Sequence, residues 1–224
     1  MIGHSYGGII AAKASLERSQ ISYVVLLGSP GVKNGEILFQ QIGDISRSFG
    51  INDTTIEKFQ NIIKNTSEIL NSNESPADKR LHVELMYICQ IHGISESEKS
   101  SLKKIGYDYF PDAPTYSKLV FLPYFYEFYT FNPQLVLKKV QCPILSLIGE
   151  KDLQVDPIVN QPVIERALRE GGNKTYTIHT PAGYNHLFQK SIPGNPMDYE
   201  SQTTTITPEI LKYINTWIKS QHRF

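Results

Sequence analysis

The feature that most constrains this chain is Gly3-His4-Ser5-Tyr6-Gly7, a G-x-S-x-G stretch preceded by only two residues. In this pattern a serine usually occupies a sharp turn between a strand and a helix. Residues 7–19 then predict a helix whose early turns carry glycine and alanine, small enough to pack close to a sheet. Residues 21–27 are almost continuously apolar and end at Gly28, which predicts a strand buried on both faces of a parallel sheet.

Composition excludes several classes of function. The 224 residues include 22 basic and 22 acidic side chains, so we expect no nucleic-acid partner. The apolar stretches are too short for a membrane span. Cys89 and Cys142 lie far apart and form neither a metal pattern nor a disulfide framework, so we expect no metal and no cofactor. Compartment and oligomeric state are left open.

The middle of the chain has a different character from its ends. Three segments carry apolar residues at helical spacing, such as Leu81, Leu85 and Ile88: residues 34–49, 54–70 and 76–92. We therefore predict a mostly helical insertion over residues 31–130. Core segments 1–30 and 131–224 would flank this insertion.

The last part of the insertion, residues 116–131, contains eight aromatic side chains. Two interpretations stay open for them. They pack the insertion onto the core, or some of them line an apolar pocket for an acyl group.

Alternation of strands and helices returns after the insertion. Residues 143–149 predict a buried strand, Asp156-Pro157 opens a helix, and residues 174–180 predict another strand. Thr207-Pro208 is expected to cap a final amphipathic helix. This alternation predicts an α/β fold with a parallel sheet.

If Ser5 acts as a nucleophile, it needs a base to take its proton and a carboxylate to orient that base. The candidate acid is Asp152, just past the end of a buried strand, where active-site groups of open α/β sheets collect. Glu150 and Asp156 are competitors. Glu150 is expected to face solvent in the turn, and Asp156 to cap the following helix.

The candidate base is His186, which follows the next strand through a loop that contains proline and glycine. His179 lies inside that strand and is expected to pack there or to face outward. His4 belongs to the serine motif, but we expect it to point elsewhere. The other histidines have helical or terminal contexts: His82, His92 and His222.

These motifs resemble the α/β-hydrolase superfamily. The resemblance rests on Gly3-His4-Ser5-Tyr6-Gly7-Gly8, on Gly149-Glu150-Lys151-Asp152 and on Asn185-His186-Leu187-Phe188-Gln189, in the superfamily's order of serine, acid and histidine. The last loop, with Pro193-Gly194, Asp198-Tyr199 and a terminal helix that contains tryptophan, is similar to EstD-like bacterial esterases related to serine aminopeptidases. The similarity spans residues 1–30 and about 131–224.

The resemblance implies cleavage of carboxylic esters through an acyl-serine on Ser5. His186 would be the base, Asp152 would orient it, and the backbone N–H of Tyr6 would donate to the oxyanion. A second oxyanion donor would come from a loop after an earlier strand, which this sequence does not contain. We therefore expect the chain to be the C-terminal portion of the hydrolase fold, without its N-terminal half.

Two other functions stay open. A serine peptidase of the aminopeptidase or prolyl-oligopeptidase type would need a site for the substrate's amino terminus, for which Asp108, Asp112 and Glu127 are the candidates. A non-catalytic remnant or binding module is the third possibility, favoured by the absent oxyanion loop.

Overall fold

The computed structural model describes residues 1–107, 110–192 and 194–221, and of Asp198 only the backbone. Asp108, Pro193 and His222 therefore lie outside the described residues. The chain forms two units. Met1–Val32 and Asn132–Phe224 make the first, which we call the sheet unit, and Lys33–Phe131 makes the second, which we call the helical unit.

The secondary structure has the predicted alternation. The strands are β1 (Ile2–His4), β2 (Val24–Leu27), β3 (Ile144–Leu147) and β4 (Tyr176–His179). The helices are α1 (Tyr6–Glu17), α2 (Asn34–Ser48), α3 (Asp53–Leu70), α4 (Pro76–Ile91), α5 (Glu96–Lys103), α6 (Ala113–Val120), α7 (Pro123–Thr130), α8 (Gln134–Leu137), α9 (Pro157–Glu170) and α10 (Pro208–Gln221), with a 3₁₀ helix at Pro196–Ser201. Among the described residues, none of these helices combines the length and hydropathy needed to cross a bilayer.

The four strands form one parallel sheet in the order β1-β2-β3-β4. Every residue of the two central strands, β2 and β3, is buried, as expected for strands covered on both faces. All the strands run in one direction, so their carboxyl ends meet at one edge of the sheet.

Apolar side chains from the sheet, α10 and the loop after β4 form a core of the sheet unit: Val25, Leu27, Leu145, Leu147, Tyr184, Phe188, Ile210 and Ile214. Trp217 packs against this core, and its indole N–H donates to Thr177 Oγ1 at 3.0 Å. The only tryptophan of the sequence therefore reports on the folding of the sheet unit.

Buried side-chain amides of helix α9 bind the sheet and the segment that follows β2. Asn160 Oδ1 accepts a hydrogen bond from Gly31 N at 2.8 Å, and Gln161 Oε1 accepts one from Ser146 Oγ at 2.8 Å. The helix begins as predicted, because Asp156 Oδ1 accepts from the N–H of Ile158 at 2.7 Å. The corresponding expectation for α10 is wrong: the Thr207 hydroxyl oxygen is buried and has no hydrogen-bond partner among the described residues.

The helical unit contains α2 to α7, and four of these six helices, α3 to α6, start at a side-chain cap. Asn52, Ser75 and Asp112 each accept a hydrogen bond from a first-turn N–H, and Ser95 forms a capping box with Glu98. The predicted helical insertion is thus present.

The apolar stripe that predicts α4 is not its buried face. Leu81, Leu85 and Ile88 are 54%, 51% and 39% exposed, whereas Val83 and Tyr87 are buried. Residues 83 and 87 are also one turn apart, so the sequence carries two apolar stripes and the unit buries the other one.

A cavity of about 320 Å³ lies inside the helical unit, and aromatic side chains of residues 116–131 line it together with those of α3 and α4. The Tyr116 ring stacks on Tyr87 with centroids 4.0 Å apart. The Tyr116 hydroxyl is hydrogen-bonded to Thr66 Oγ1 at 2.8 Å and to the Tyr129 hydroxyl at 3.3 Å. Several of the predicted aromatic residues therefore pack around this cavity within their own unit.

Candidate active site

Ser5 occupies the sharp turn that the sequence predicts, between β1 and α1. Its backbone has φ 54° and ψ −130°, a conformation that residues other than glycine rarely adopt. Two nearby glycines, Gly3 and Gly8, are needed for space, whereas a Cβ on Gly7 would meet no atom within 4 Å. A Cβ on Gly3 would collide with the carbonyl of Gly7, and one on Gly8 with the side chain of Ser29. The motif thus stores backbone strain of about 1–3 kcal/mol at its serine.

His186 and Asp152 form a buried pair, each only 3% exposed. His186 Nδ1 lies 2.8 Å from Asp152 Oδ2. The other carboxylate oxygen, Oδ1, accepts from the N–H groups of Gln154 at 2.9 Å and Val155 at 2.8 Å. Because these N–H groups stabilise a negative charge, we assign a carboxylate to Asp152 and the proton of the pair to His186 Nδ1. The Nε2 of His186 then keeps its lone pair and can accept a proton.

The loop that carries His186 is held by its own neighbours. Asn185 is fully buried, and its Oδ1 accepts from the N–H groups of Leu187 and Gln189, both at 3.0 Å. Phe188 is also fully buried, with the positive φ of 58° that turns the loop. Residues on both sides of the histidine therefore anchor it, which limits its movement.

The segment at the end of β2 connects the serine turn with the histidine–aspartate pair. The carbonyl of Leu27 accepts a hydrogen bond from the N–H of Ser5 at 2.7 Å. The next residue, Gly28, has φ 57°, and a Cβ there would lie 2.9 Å from His186 Nδ1 and 3.4 Å from Asp152 Oδ2. Leu27 thus contacts the serine turn and Gly28 lies against the histidine–aspartate pair, at the carboxyl ends of adjacent strands.

The expectation that His4 points elsewhere is wrong. Its Nε2 lies 2.9 Å from the backbone oxygen of His186, and the two imidazole rings have centroids 4.6 Å apart at an interplanar angle of 55°. Burial lowers the pKa of His4, and the hydrogen bond to His186 partly opposes this shift. This contact joins residues 182 positions apart. No local pattern could have predicted it.

The competing acids have other roles. Glu150 is exposed and accepts from the N–H of Gly183 at 2.8 Å, and this hydrogen bond lowers the pKa of its carboxyl group. Asp156 caps α9, and Asp112 caps α6 through the N–H of Thr115.

The competing histidines are also engaged elsewhere. The ring of His179 stacks on Tyr213 with centroids 4.7 Å apart, and burial lowers its pKa. In the helical unit, His82 pairs with Glu74 at 2.7 Å and His92 Nδ1 lies 2.6 Å from the carbonyl oxygen of Ile88.

One family model matches the start of the chain, the part that contains Ser5. Residues 1–37 match the model of a family described as alpha/beta hydrolase. This match, the four parallel strands and the helical unit inserted between β2 and β3 confirm the predicted α/β-hydrolase fold. No curated protein sequence matches the chain significantly. The narrower resemblance to EstD-like esterases stays a prediction.

Several solved structures are similar to this chain, and three of them are as follows. Est816, described as an N-acyl homoserine lactone degrading enzyme, is 19% identical with a TM-score of 0.41 and matches 95% of this chain. A proline iminopeptidase from Mycobacterium smegmatis is 14% identical over 99% of this chain, with a TM-score of 0.44. The esterase RhEst1 from Rhodococcus sp. ECU1013 is 13% identical over 98%, with a TM-score of 0.39. The chain spans only 65%, 64% and 64% of these proteins' lengths, respectively.

Proposed function

We propose that this protein is a serine hydrolase that cleaves carboxylic esters through an acyl-serine intermediate on Ser5. The observation that carries the proposal is the buried His186–Asp152 pair beside the turn that holds Ser5. A serine hydroxyl is a weak nucleophile at neutral pH and needs an adjacent base. His186 has the free lone pair for that role, given the proton at its Nδ1.

In the acylation step, His186 Nε2 takes the hydroxyl proton of Ser5 while Oγ bonds to the ester carbonyl carbon. The carbonyl π electrons move to the oxygen, which becomes an oxyanion. When the oxyanion collapses, the bond to the alcohol oxygen breaks and His186 returns the proton to the leaving alcohol. Water then repeats both steps at the acyl-serine, which releases the carboxylic acid and restores Ser5.

Asp152 holds His186 in the tautomer that these reaction steps require and stabilises the imidazolium that forms. Its two backbone N–H partners keep the carboxylate in place when His186 gains its proton. In a related arrangement of serine, histidine and aspartate, replacing the aspartate by asparagine lowers kcat by about 10⁴.

The proposed first oxyanion donor is the N–H of Tyr6. It is the first residue of α1 and directly follows Ser5, so the positive end of the helix dipole lies at the oxyanion. Loss of one such donor lowers kcat by about 10²–10³. The rate of this chain therefore tests how much of the site it contains by itself.

The proposed substrates are short aryl or alkyl esters. Support comes from the aromatic side chains of the helical unit, which line an apolar cavity inside that unit. The resemblance of the motifs to esterases points the same way.

Labelling with a fluorophosphonate tests the nucleophile, because it reacts with activated serines. We expect wild-type protein and Ser5→Ala to differ completely in labelling, while Asp152→Asn is labelled at least about 10²-fold more slowly. The matched control is Ser15→Ala, on helix α1 that follows Ser5, where Oγ donates to the carbonyl of Ala12 and the side chain also contacts Cys142. Labelling that survives Ser5→Ala would refute the assignment.

Turnover of p-nitrophenyl esters and aminoacyl p-nitroanilides, measured side by side, tests the substrate class. Faster anilide cleavage would favour the serine peptidase instead. Absence of both labelling and turnover would favour a non-catalytic chain.

A further inference from the structure

Two hydrogen bonds indicate which ring nitrogens of His4 and His186 carry a proton. A backbone carbonyl can only accept a hydrogen bond, so His4 Nε2 must carry a proton and donate it to the oxygen of His186, 2.9 Å away. Asp152 Oδ2 accepts from His186 Nδ1 at 2.8 Å. His186 is therefore held at its backbone by His4 and at its ring by Asp152.

The rings of the two histidines also touch. Their centroids are 4.6 Å apart and their planes are inclined by 55°, so the His4 ring limits how far His186 can tilt. His4 directly precedes Ser5 in sequence. One short segment of chain thus carries both the nucleophile and a support for its base.

We propose that His4 is a positioning residue, which holds His186 in the orientation that directs Nε2 toward Ser5. This inference rests on the function proposed above for Ser5 and His186. His4 does not touch the reacting atoms in this mechanism. It acts through the backbone carbonyl and the ring of His186.

The ionisable groups that face His4 are His186 and, behind it, Asp152. Burial favours a neutral His4. When His186 takes the proton of Ser5 it becomes a cation, and a neutral His4 does not oppose that charge. Below neutral pH, protonation of His4 would place a second positive charge beside His186 and slow the reaction further. The acid side of the pH profile of kcat is therefore expected to fall more steeply than a single protonation allows.

Two variants separate the hydrogen bond from the ring contact. His4→Phe keeps an aromatic ring but has no donor, and His4→Gln keeps an N–H donor but has no ring. We expect His4→Phe to lower kcat about tenfold, the equivalent of one hydrogen bond, with KM changed less than about twofold. His4→Gln should recover at least about a third of the wild-type kcat, and its acid limb should follow a single protonation.

The matched control is His179→Phe, because His179 is also a partly buried histidine of the sheet unit and its ring stacks on Tyr213 instead. Its kcat and acid limb should equal those of the wild type. If His4→Phe lowers kcat no more than His179→Phe does, or if His4→Gln keeps the steep acid limb, the inference is overturned.

A measurement without turnover separates this inference from the proposed function. In a Ser5→Ala background, NMR can follow the exchange of the His186 Nδ1 proton with water. We expect His4→Phe to accelerate this exchange at least about tenfold, because the imidazole is no longer held. Faster exchange in the Ser5→Ala background, together with no fluorophosphonate labelling of the protein that keeps Ser5, would support the positioning role and refute the hydrolase. Unchanged exchange in the Ser5→Ala background, together with labelling of the protein that keeps Ser5, would refute the positioning role and support the hydrolase.

Discussion

Replacing Gly28 by alanine tests whether the end of β2 really sets the geometry of the site. The new Cβ would lie 2.9 Å from Nδ1 and 3.0 Å from Cε1 of the His186 ring. Ordinary contacts between such atoms are about 3.5–4.0 Å, so the ring must retreat by roughly 0.5–1 Å. Its hydrogen bond to Asp152, now 2.8 Å, would then exceed the usual range for a charge-assisted bond.

Two effects add in this variant. Alanine at the positive φ of Gly28 costs about 1–2 kcal/mol, and the weakened bond to a buried carboxylate costs about 1–2 kcal/mol more. We therefore expect the free energy of unfolding to fall by about 2–4 kcal/mol. Displacement of the base by this distance should lower the rate of fluorophosphonate labelling by about 10².

The matched control is Gly172→Ala. Gly172 has a similar positive φ of 81°, but a Cβ there would meet no atom within 4 Å. This control isolates the conformational cost, about 1–2 kcal/mol, and should leave labelling unchanged. Urea unfolding followed by Trp217 fluorescence measures the free energy of unfolding of the sheet unit in both variants. Equal stability and equal labelling of the two variants would refute the contact argument.

Three further predictions concern single residues. Ser5→Gly should raise the free energy of unfolding by about 1 kcal/mol, because glycine relieves the strained backbone, and a decrease would contradict that strain. As pH falls below 6.5, His4 takes up a proton more readily in the unfolded chain than in the folded one, where it is buried, so the free energy of unfolding falls. Urea unfolding at pH 7.5 and 5.5 should therefore show a smaller loss of this free energy for His4→Gln than for the wild type. An equal loss would argue against a buried neutral His4. Tyr116→Phe leaves Thr66 without its hydroxyl partner and should lower the free energy of unfolding, followed by circular dichroism, by about 1–2 kcal/mol. The matched change at exposed Tyr124 should lower it by no more than about 0.5 kcal/mol. Similar losses in the two variants would show that the buried hydroxyls contribute little.

The sequence predicts the two central strands well because they are short, mostly apolar runs with clear ends, and β4 follows from its place in the alternation of strands and helices. It also identifies Asp152 and His186 as candidates, since each follows a predicted strand and active-site groups collect at that edge. The structure pairs these two side chains, 34 positions apart. Their role in catalysis stays a proposal.

Other features lie beyond sequence patterns. On α4 the spacing of Leu81, Leu85 and Ile88 correctly predicts a helix, but Val83 and Tyr87 satisfy the same period and are the residues that are buried. Periodicity identifies a helix, whereas its neighbours decide which stripe is covered. The contact of His4 with His186 depends in the same way on the folded sheet, because it joins distant parts of the chain.

The sheet unit is built from two separate stretches of chain, and this affects how it folds. Leu27 pairs with Leu147 across β2 and β3, so the sheet closes a loop that contains the whole helical unit. The free-energy cost of closing a flexible loop grows only with the logarithm of the loop length. Halving the loop lowers this cost by about 0.6 kcal/mol. Folding rate, in contrast, falls as contacts become more distant in sequence. The stability of the sheet should therefore tolerate inserted units of very different size at this position, while the time needed to form the sheet depends on how quickly the inserted unit compacts and brings β2 and β3 together.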